Sequence, residues 1–244
     1  MQADTSPQFE RTRILLTPAE MARLTHAHVL VAGLGGVGSY CAEALARAGI
    51  GKLTIIDHDV VGASNINRQL PALLSTVGQS KAELMAARIR DINPACEIQV
   101  IREFLTPENV IDLVPADVDY VIDCIDSLNC KVALVATSVE RGLRVASSMG
   151  AGNKLDPSRI RLADISATNQ CPLASVMRKR LRKLGINKGV LTVFTDEPGR
   201  RPLPPQPVTG SGRARAVNGT VSYMPPLFGL MLAGAVLQQL IAET

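Results

Sequence analysis

Residues 28–38 read HVLVAGLGGVG, and the order of residue types in that stretch decides the fold class. His28–Ala32 is a short, β-rich apolar run that stops at glycine, and Val37–Ala48 then reads as a helix. Between them Gly33, Gly35 and Gly38 form G-x-G-x-x-G, with an extra glycine at Gly36. Glycines here permit a tight turn and close approach of a phosphate or ribose, and the helix start offers unpaired N–H groups and a positive dipole end. A second strand over Lys52–Asp57 closes on Asp57, 19 residues after Gly38. A carboxylate at that point can accept hydrogen bonds from ribose hydroxyls, so the unit reads as nucleotide-binding.

Outward from this unit the pattern alternates. The spacing predicts a helix over 81–92, a strand over 97–104, a short helix over 107–114 and a buried strand over 120–123. A helix over 128–141 and a strand over 144–148 follow. Such alternation predicts an α/β fold, a Rossmann-like, doubly wound, mainly parallel sheet. After Gly150 the pattern changes to a strand over 160–164, a helix over 172–184 and a strand over 190–195, a C-terminal extension of that sheet. Residues 197–215 hold five prolines and four arginines and read as a mobile loop. No linker is evident, which predicts one domain over 11–244, with a nucleotide-binding core at about 26–150 and a substrate part at about 151–244.

The composition is 46% apolar with 3% aromatics and no Trp, so the core must be aliphatic. Five scattered cysteines contain no C-x-x-C pair, which argues against a zinc cluster or a thioredoxin-like redox pair. Free thiols point to a reducing compartment, and the first residues are no signal peptide, so the expected location is cytoplasmic. Residues 172–215 carry 10 Lys/Arg against 2 acids, on an otherwise mildly acidic chain. Arg178, Lys179, Arg180, Arg182 and Lys183 are therefore candidate contacts to a polyanion such as a nucleic acid. A solvated helix face reads equally well from charge alone. The apolar run over 224–242 reads as a helix packed on the sheet or at a dimer interface, with peripheral membrane association as the other option.

A dinucleotide fingerprint ordinarily signals NAD, but the residues that follow argue for a triphosphate. Ser64-Asn65-Ile66-Asn67-Arg68-Gln69 comes soon after Asp57, and Lys81 stands at a helix start beside Ser80. Cations and amide donors near a nucleotide suit three phosphates better than two. Asp123 or Asp126, where the fourth strand ends, offers a carboxylate for Mg²⁺, although Asp123 alone reads better as a helix cap. His26, His28 and His58 lack metal-ligand spacing. Cys171, just ahead of Pro172, could serve as an acyl-accepting thiol, but a single cysteine is more often apolar filler.

The motifs GLGGVGS, IIDHDVVGASNINRQ, VGQSKAE and DCIDS, in this order and spacing, resemble the ThiF/MoeB/HesA-type ATP-dependent activating family, relatives of ubiquitin-activating enzymes. The resemblance runs from about Arg11 to Ser148. It implies that the glycine loop at Gly36 and Asp57 bind the adenosine and ribose, that Arg68 of the nucleotide-binding run Ser64, Asn65, Asn67, Arg68 binds the phosphates with Lys81, and that Asp126 serves Mg-ATP. It also implies a homodimer in which an N-terminal arginine, Arg13 before Arg11, reaches the partner's phosphates. Catalysis would then rest on Arg13, Arg68 and Lys81.

Several members of the family carry two C-x-x-C pairs for zinc, and this chain has none. Residues 149–160, Cys171-Pro172-Leu173-Ala174 and Phe9 to Leu15 resemble instead the branch that dehydrates threonylcarbamoyladenosine in tRNA. That resemblance implies attack of a carboxylate on the α-phosphate of ATP, loss of pyrophosphate, and displacement of AMP by a ring-closing nitrogen. Two rivals stand beside it: adenylation of the C-terminus of a ubiquitin-like sulfur-carrier protein, and a non-catalytic nucleotide or NAD sensor.

Overall fold

Strong local signals open the chain. In the computed structural model, which describes residues 6–206 and 215–242, Glu10–Leu15 forms α1 and Pro18–His26 forms α2. Thr17 starts α2 with a capping box, its hydroxyl accepting from Glu20 N–H while the Glu20 carboxylate accepts from Thr17 N–H at 2.7 Å. Strand β1 (His28–Ala32) is buried along its whole length and leads into α3 (Gly38–Ala48), which ends at left-handed Gly49. The chain continues through β2 (Lys52–Ile56), α4 (Lys81–Ile92), β3 (Glu97–Ile101), α5 (Val110–Leu113), β4 (Tyr120–Asp123), α6 (Leu128–Glu140) and β5 (Arg144–Ser148). Then come β6 (Ile160–Asp164), α7 (Pro172–Lys183), β7 (Val190–Thr195), β8 (Leu203–Gln206), β9 (Arg215–Val217) and α8 (Met224–Ile241).

Seven strands form one sheet in the order β3-β2-β1-β4-β5-β7-β6, parallel except for β6, which runs antiparallel to β7. Order 3-2-1-4-5 is that of a doubly wound sheet, with its switch point between β1 and β4. The expected α/β class therefore holds. Apolar residues of α2, α3, α4 and α8 cover one face, and those of α5, α6 and α7 cover the other. No tryptophan contributes, and Leu, Ile, Val and Ala fill both layers.

Three segments depart from the sequence reading by more than one residue. The strand predicted over 97–104 stops at Ile101, and its remaining residues turn away so that Glu103, Phe104 and Leu105 line the nucleotide cleft. The helix predicted over 107–114 shrinks to Val110–Leu113, because Thr106 and Asn109 bond each other's backbone N–H groups in a turn that precedes it. At the two ends of the loop predicted over 197–215, β8 and β9 pair as an antiparallel ribbon, and residues 207–214 lie outside the described residues. Helix α8 is apolar and long enough to cross a membrane, yet half of it is buried, packed on α3 and α2.

Candidate nucleotide site

A cleft of about 400 Å³ opens at the carboxyl ends of β1, β2, β4 and β5. Its floor is the glycine loop. Gly33, at φ +87°, donates its N–H to Ile56 O at 2.8 Å, which turns the chain sharply off β1. A Cβ at Gly38 would lie 1.7 Å from Gly33 O, so only glycine lets α3 start this close to β1. Gly33, Gly35 and Gly36 line the cleft, while Gly38 closes the turn behind them.

Asp57 stands where the sequence places it. Its carboxylate accepts from Leu34 N–H at 2.6 Å and from Asp59 N–H at 2.8 Å. Burial raises its pKa above the usual aspartate value, and those two N–H donors oppose the rise. Backbone bonds fix its orientation and leave lone pairs for a ribose. Beside it, the His58 and Phe104 rings meet edge to face at 4.7 Å, and Phe104 is half exposed to the cleft.

The two expected cations differ in their surroundings. Lys81 is buried and donates to Asp59 at 2.7 Å, a partner the sequence reading missed although the DHD run of Asp57, His58 and Asp59 displays it. Arg68 is half-buried, and its guanidinium donates only to neutral acceptors, Ser64 O at 3.0 Å and Asn67 Oδ1 at 2.9 Å. Among the described residues no carboxylate pairs with it. Burial lowers its pKa, the direction expected for a charge removed from water without a counter-ion.

Asp126 lines the cleft, exposed and without a protein partner among the described residues. Asp123 has a different task. It is fully buried and bonds Lys131 Nζ at 2.6 Å and Ser147 Oγ at 2.5 Å, while its other oxygen accepts from Ile125 N–H at 3.1 Å. Lys131, itself fully buried, also donates to Ser148 O at 2.9 Å. Asp123 is thus neither open to a metal nor a cap on α6, because the buried lysine claims it. Asp57, His58 and Asp59 carry ligand atoms within 4.8 Å of one another, but Lys81 and backbone N–H groups already engage the two carboxylates.

Not every predicted residue reaches the cleft. Ser64, Asn65 and Asn67 lie outside its wall: Ser64 O and Asn67 Oδ1 brace Arg68, Asn65 Oδ1 accepts from Gly62 N–H at 3.0 Å, and Asn67 Nδ2 donates to Thr220 O at 3.2 Å. Arg13 lines a separate cavity at the amino ends of the strands, beside Gly51 and Asn93, and donates to Ser6 O at 2.9 Å. It therefore sits at the opposite edge of the sheet from its own cleft. Cys171 is 4% exposed and packs in the apolar layer under α7.

On α7 the basic residues divide. Arg178 turns inward to Thr168 and the Ile165 carbonyl, which anchors the preceding loop. Lys179, Arg180, Arg182 and Lys183 are exposed, with Arg180 reaching Asn129. Leu173, in the helix's first turn, lines the cleft, so Arg182 stands roughly 14 Å along the axis at 1.5 Å per residue.

The far wall of the cleft was not legible as a site. Gly150, Ala151 and Gly152 leave β5 there, faced by Asn218, Gly219 and Thr220. Asn153, at φ +61°, ties them together: its N–H donates to Gly219 O at 2.8 Å and its Oδ1 accepts from Gly219 N–H at 2.7 Å. Its Nδ2 donates to Asn218 Oδ1 at 2.8 Å, and its carbonyl accepts from Arg200 N–H at 2.9 Å. The Asn218-Gly219 pair, a turn signal, was the only hint.

Comparison with known proteins identifies relatives of the chain. Residues 9–244 match the ThiF family. The chain is 40% identical over 242 residues to the tRNA threonylcarbamoyladenosine dehydratase of Bacillus subtilis (strain 168), a match spanning 97% of this chain and 95% of that protein. Among solved structures it is similar to the E. coli tRNA N6-threonylcarbamoyladenosine dehydratase TcdA in complex with AMP, at TM-score 0.86 and 38% identity over 96% of this chain and 94% of that one. The same enzyme in complex with ATP is similar at TM-score 0.85 and 37% identity, with the same coverage.

Proposed function

The chain belongs to the ThiF family, and from that premise we propose that it is an ATP-dependent enzyme that activates the carboxylate of threonylcarbamoyladenosine in tRNA and closes it into a ring. The observation that carries this reading is the half-buried Arg68, which has no carboxylate partner among the described residues and faces a cleft that also holds Lys81 and Asp126. An uncompensated guanidinium on a cleft wall is a site for an anion, and a triphosphate is the anion that a glycine loop and a ribose-binding Asp57 accompany.

The residues divide the work. Asp57 accepts from the ribose, and the glycine loop lets the phosphates approach the start of α3. A substrate carboxylate oxygen then forms a bond to the α-phosphorus as the bond to the β-phosphate oxygen breaks, and pyrophosphate leaves with the electron pair. Arg68 and Lys81 stabilise the charge that spreads over the phosphate oxygens. Lys81 is held in place by Asp59. Asp126, an open carboxylate without a protein partner among the described residues, fits Mg²⁺, which takes few protein carboxylates and keeps waters and phosphate oxygens. When bound there, the metal would neutralise phosphate charge. Ring closure is intramolecular, so orientation supplies much of the second step and no protein thiol is needed.

The chain further reads as a homodimer, because Arg13 can approach phosphates only in a second copy's cleft. The core at 26–150 carries the nucleotide, and the part at 151–244 carries the tRNA, with Lys179, Arg180, Arg182 and Lys183 as backbone contacts. Unpaired cysteines suit a cytoplasmic location. The test is ATP-dependent loss of one water from threonylcarbamoyladenosine in tRNA, followed by mass spectrometry of the nucleosides. Arg68→Ala should lower that rate by ~10²–10³-fold. Near-normal turnover by Arg68→Ala would refute the assignment. Turnover stimulated by a carrier protein and not by tRNA would favour the sulfur-carrier reading.

A further inference from the structure

The wall built from 150–152 and 218–220 carries no charged side chain, but it holds hydrogen-bond donors left without acceptors among the described residues. The N–H groups of Gly150, Ala151 and Gly152 make no hydrogen bond among the described residues, although all three line the cleft and Ala151 is 8% exposed. A buried N–H without an acceptor is costly, as at Ala151, and N–H groups without protein acceptors in residues that line a cleft are open to an oxygen acceptor of a ligand.

A fourth donor is fixed beside them by a chain of hydrogen bonds that leaves no ambiguity over amide orientation. Gly219 N–H can only donate, so the Asn153 atom it meets at 2.7 Å must be Oδ1. Asn153 Nδ2 is then the donor at 2.8 Å to Asn218, so the Asn218 atom facing it must be Oδ1. Asn218 Nδ2 is thereby left over, with no acceptor among the described residues, on an exposed side chain of the cleft wall. Every polar group of Asn153 is spent on this arrangement, and its left-handed backbone is one that asparagine tolerates better than most residues.

We propose that the Gly150–Ala151–Gly152 N–H groups and Asn218 Nδ2 form the acyl half of the active site, holding the substrate carboxylate before activation and its carbonyl oxygen afterwards. This rests on the carboxylate-activating reading above. Neutral donors suit the role because the group they hold changes charge. It arrives as a carboxylate, becomes an uncharged adenylate carbonyl, and regains charge as an oxyanion. In that last step the ring nitrogen forms a bond to the acyl carbon and gives up its proton to solvent. The carbonyl electron pair moves onto oxygen, where the donors stabilise it. It returns as the C–O bond to AMP breaks, and AMP leaves with that bond's electrons. A fixed cation on this wall would instead favour the first state over the second.

The test uses the full chain with ATP and tRNA carrying threonylcarbamoyladenosine, reading kcat and KM for each substrate and the ATP dissociation constant separately. Asn218→Ala should lower kcat/KM for the tRNA by ~10²-fold and leave the ATP dissociation constant unchanged. Asn218→Asp keeps an oxygen for Asn153 Nδ2, hence the tie between Asn153 and 218–219, but turns the donor into a negative acceptor, and its loss should be larger still. Gly152→Ala places a Cβ 3.2 Å from Asn218 Cβ and should reproduce the Asn218→Ala loss. Gly234→Ala, whose Cβ meets nothing within 4 Å on α8, is the control for adding a methyl group. Wild-type kinetics in Asn218→Asp would overturn the proposal, as would losses of ATP affinity that parallel the losses of turnover in all the cleft variants. Absence of ATP-dependent turnover in the unaltered chain would overturn the carboxylate-activating reading, and the acyl half-site with it.

Discussion

Replacing Lys131 with methionine removes one half of the ion pair beneath the cleft while keeping its length and most of its volume. Both partners are 0% exposed, and Nζ stands 2.6 Å from Asp123. Leaving one charge of a buried pair uncompensated costs about 3–5 kcal/mol. Ser147 Oγ and Ile125 N–H still bond Asp123 after the change, which places the expected cost near the lower figure, about 3 kcal/mol. For a chain of this size, where each kcal/mol moves the midpoint by about 2–4 °C, Tm should fall by about 6–12 °C. Urea unfolding should show a lower midpoint at an unchanged slope. The double variant Asp123→Leu/Lys131→Met removes both charges and should recover most of the loss, because a buried pair contributes little over apolar residues of similar volume. A Lys131→Met unfolding free energy within about 1 kcal/mol of the parent's would refute the assignment of Asp123 as this lysine's counter-ion. So would a double variant less stable than the single one.

Nucleotide affinity should fall on acidification at a pH above 3.8, the ordinary aspartate value, because burial raises the pKa of Asp57 and its protonated form is a poorer acceptor for ribose hydroxyls. Asp57→Asn should flatten that limb in a calorimetric ATP titration. For stability the sign is reversed: a carboxyl whose folded pKa is raised favours the fold at low pH, and this contribution is lost as pH rises through the folded value. Acid unfolding of Asp57→Asn should accordingly begin at no higher pH than that of the parent. Reversing the charge at Lys179, Arg182 and Lys183 should raise KM for tRNA and lessen its dependence on salt, while the KM for ATP stays put. Equal salt slopes in the two proteins would remove α7 from the tRNA surface.

The nucleotide half of the site was legible because its chemistry is local. A strand, a glycine turn and a helix follow one another within 28–48, and Asp57, Arg68, Lys81 and Asp126 come from the ends of successive elements. A doubly wound sheet brings such ends to one edge. Asp123 departs from the helix cap that the sequence predicts because its partner, Lys131, closes the first turn of α6, where a lysine ordinarily faces water. The acyl wall was invisible for a related reason. Its donors are backbone N–H groups and one asparagine, meeting across 65 residues between Asn153 and Asn218, and neither has a pattern in sequence. Ser64, Asn65 and Asn67 were placed in the site by motif, yet in the folded chain they shape the turn that presents Arg68.

The seating of α8 against the glycine loop has a consequence for synthesis. Pro225 closes on Gly36, where a Cβ would come within 2.9 Å of it, and Gly229 packs so tightly on α3 that a Cβ there would lie 2.2 Å from Val37 O. A nascent chain that has released only its first 200 residues from the ribosome therefore has β1, α3 and the whole phosphate loop in hand, but no helix over them. Met224, Phe228, Leu232 and Val236 supply the missing apolar cover. Until that late segment emerges, the apolar face of α3 stays uncovered, the kind of transiently exposed surface that makes incomplete chains prone to aggregate.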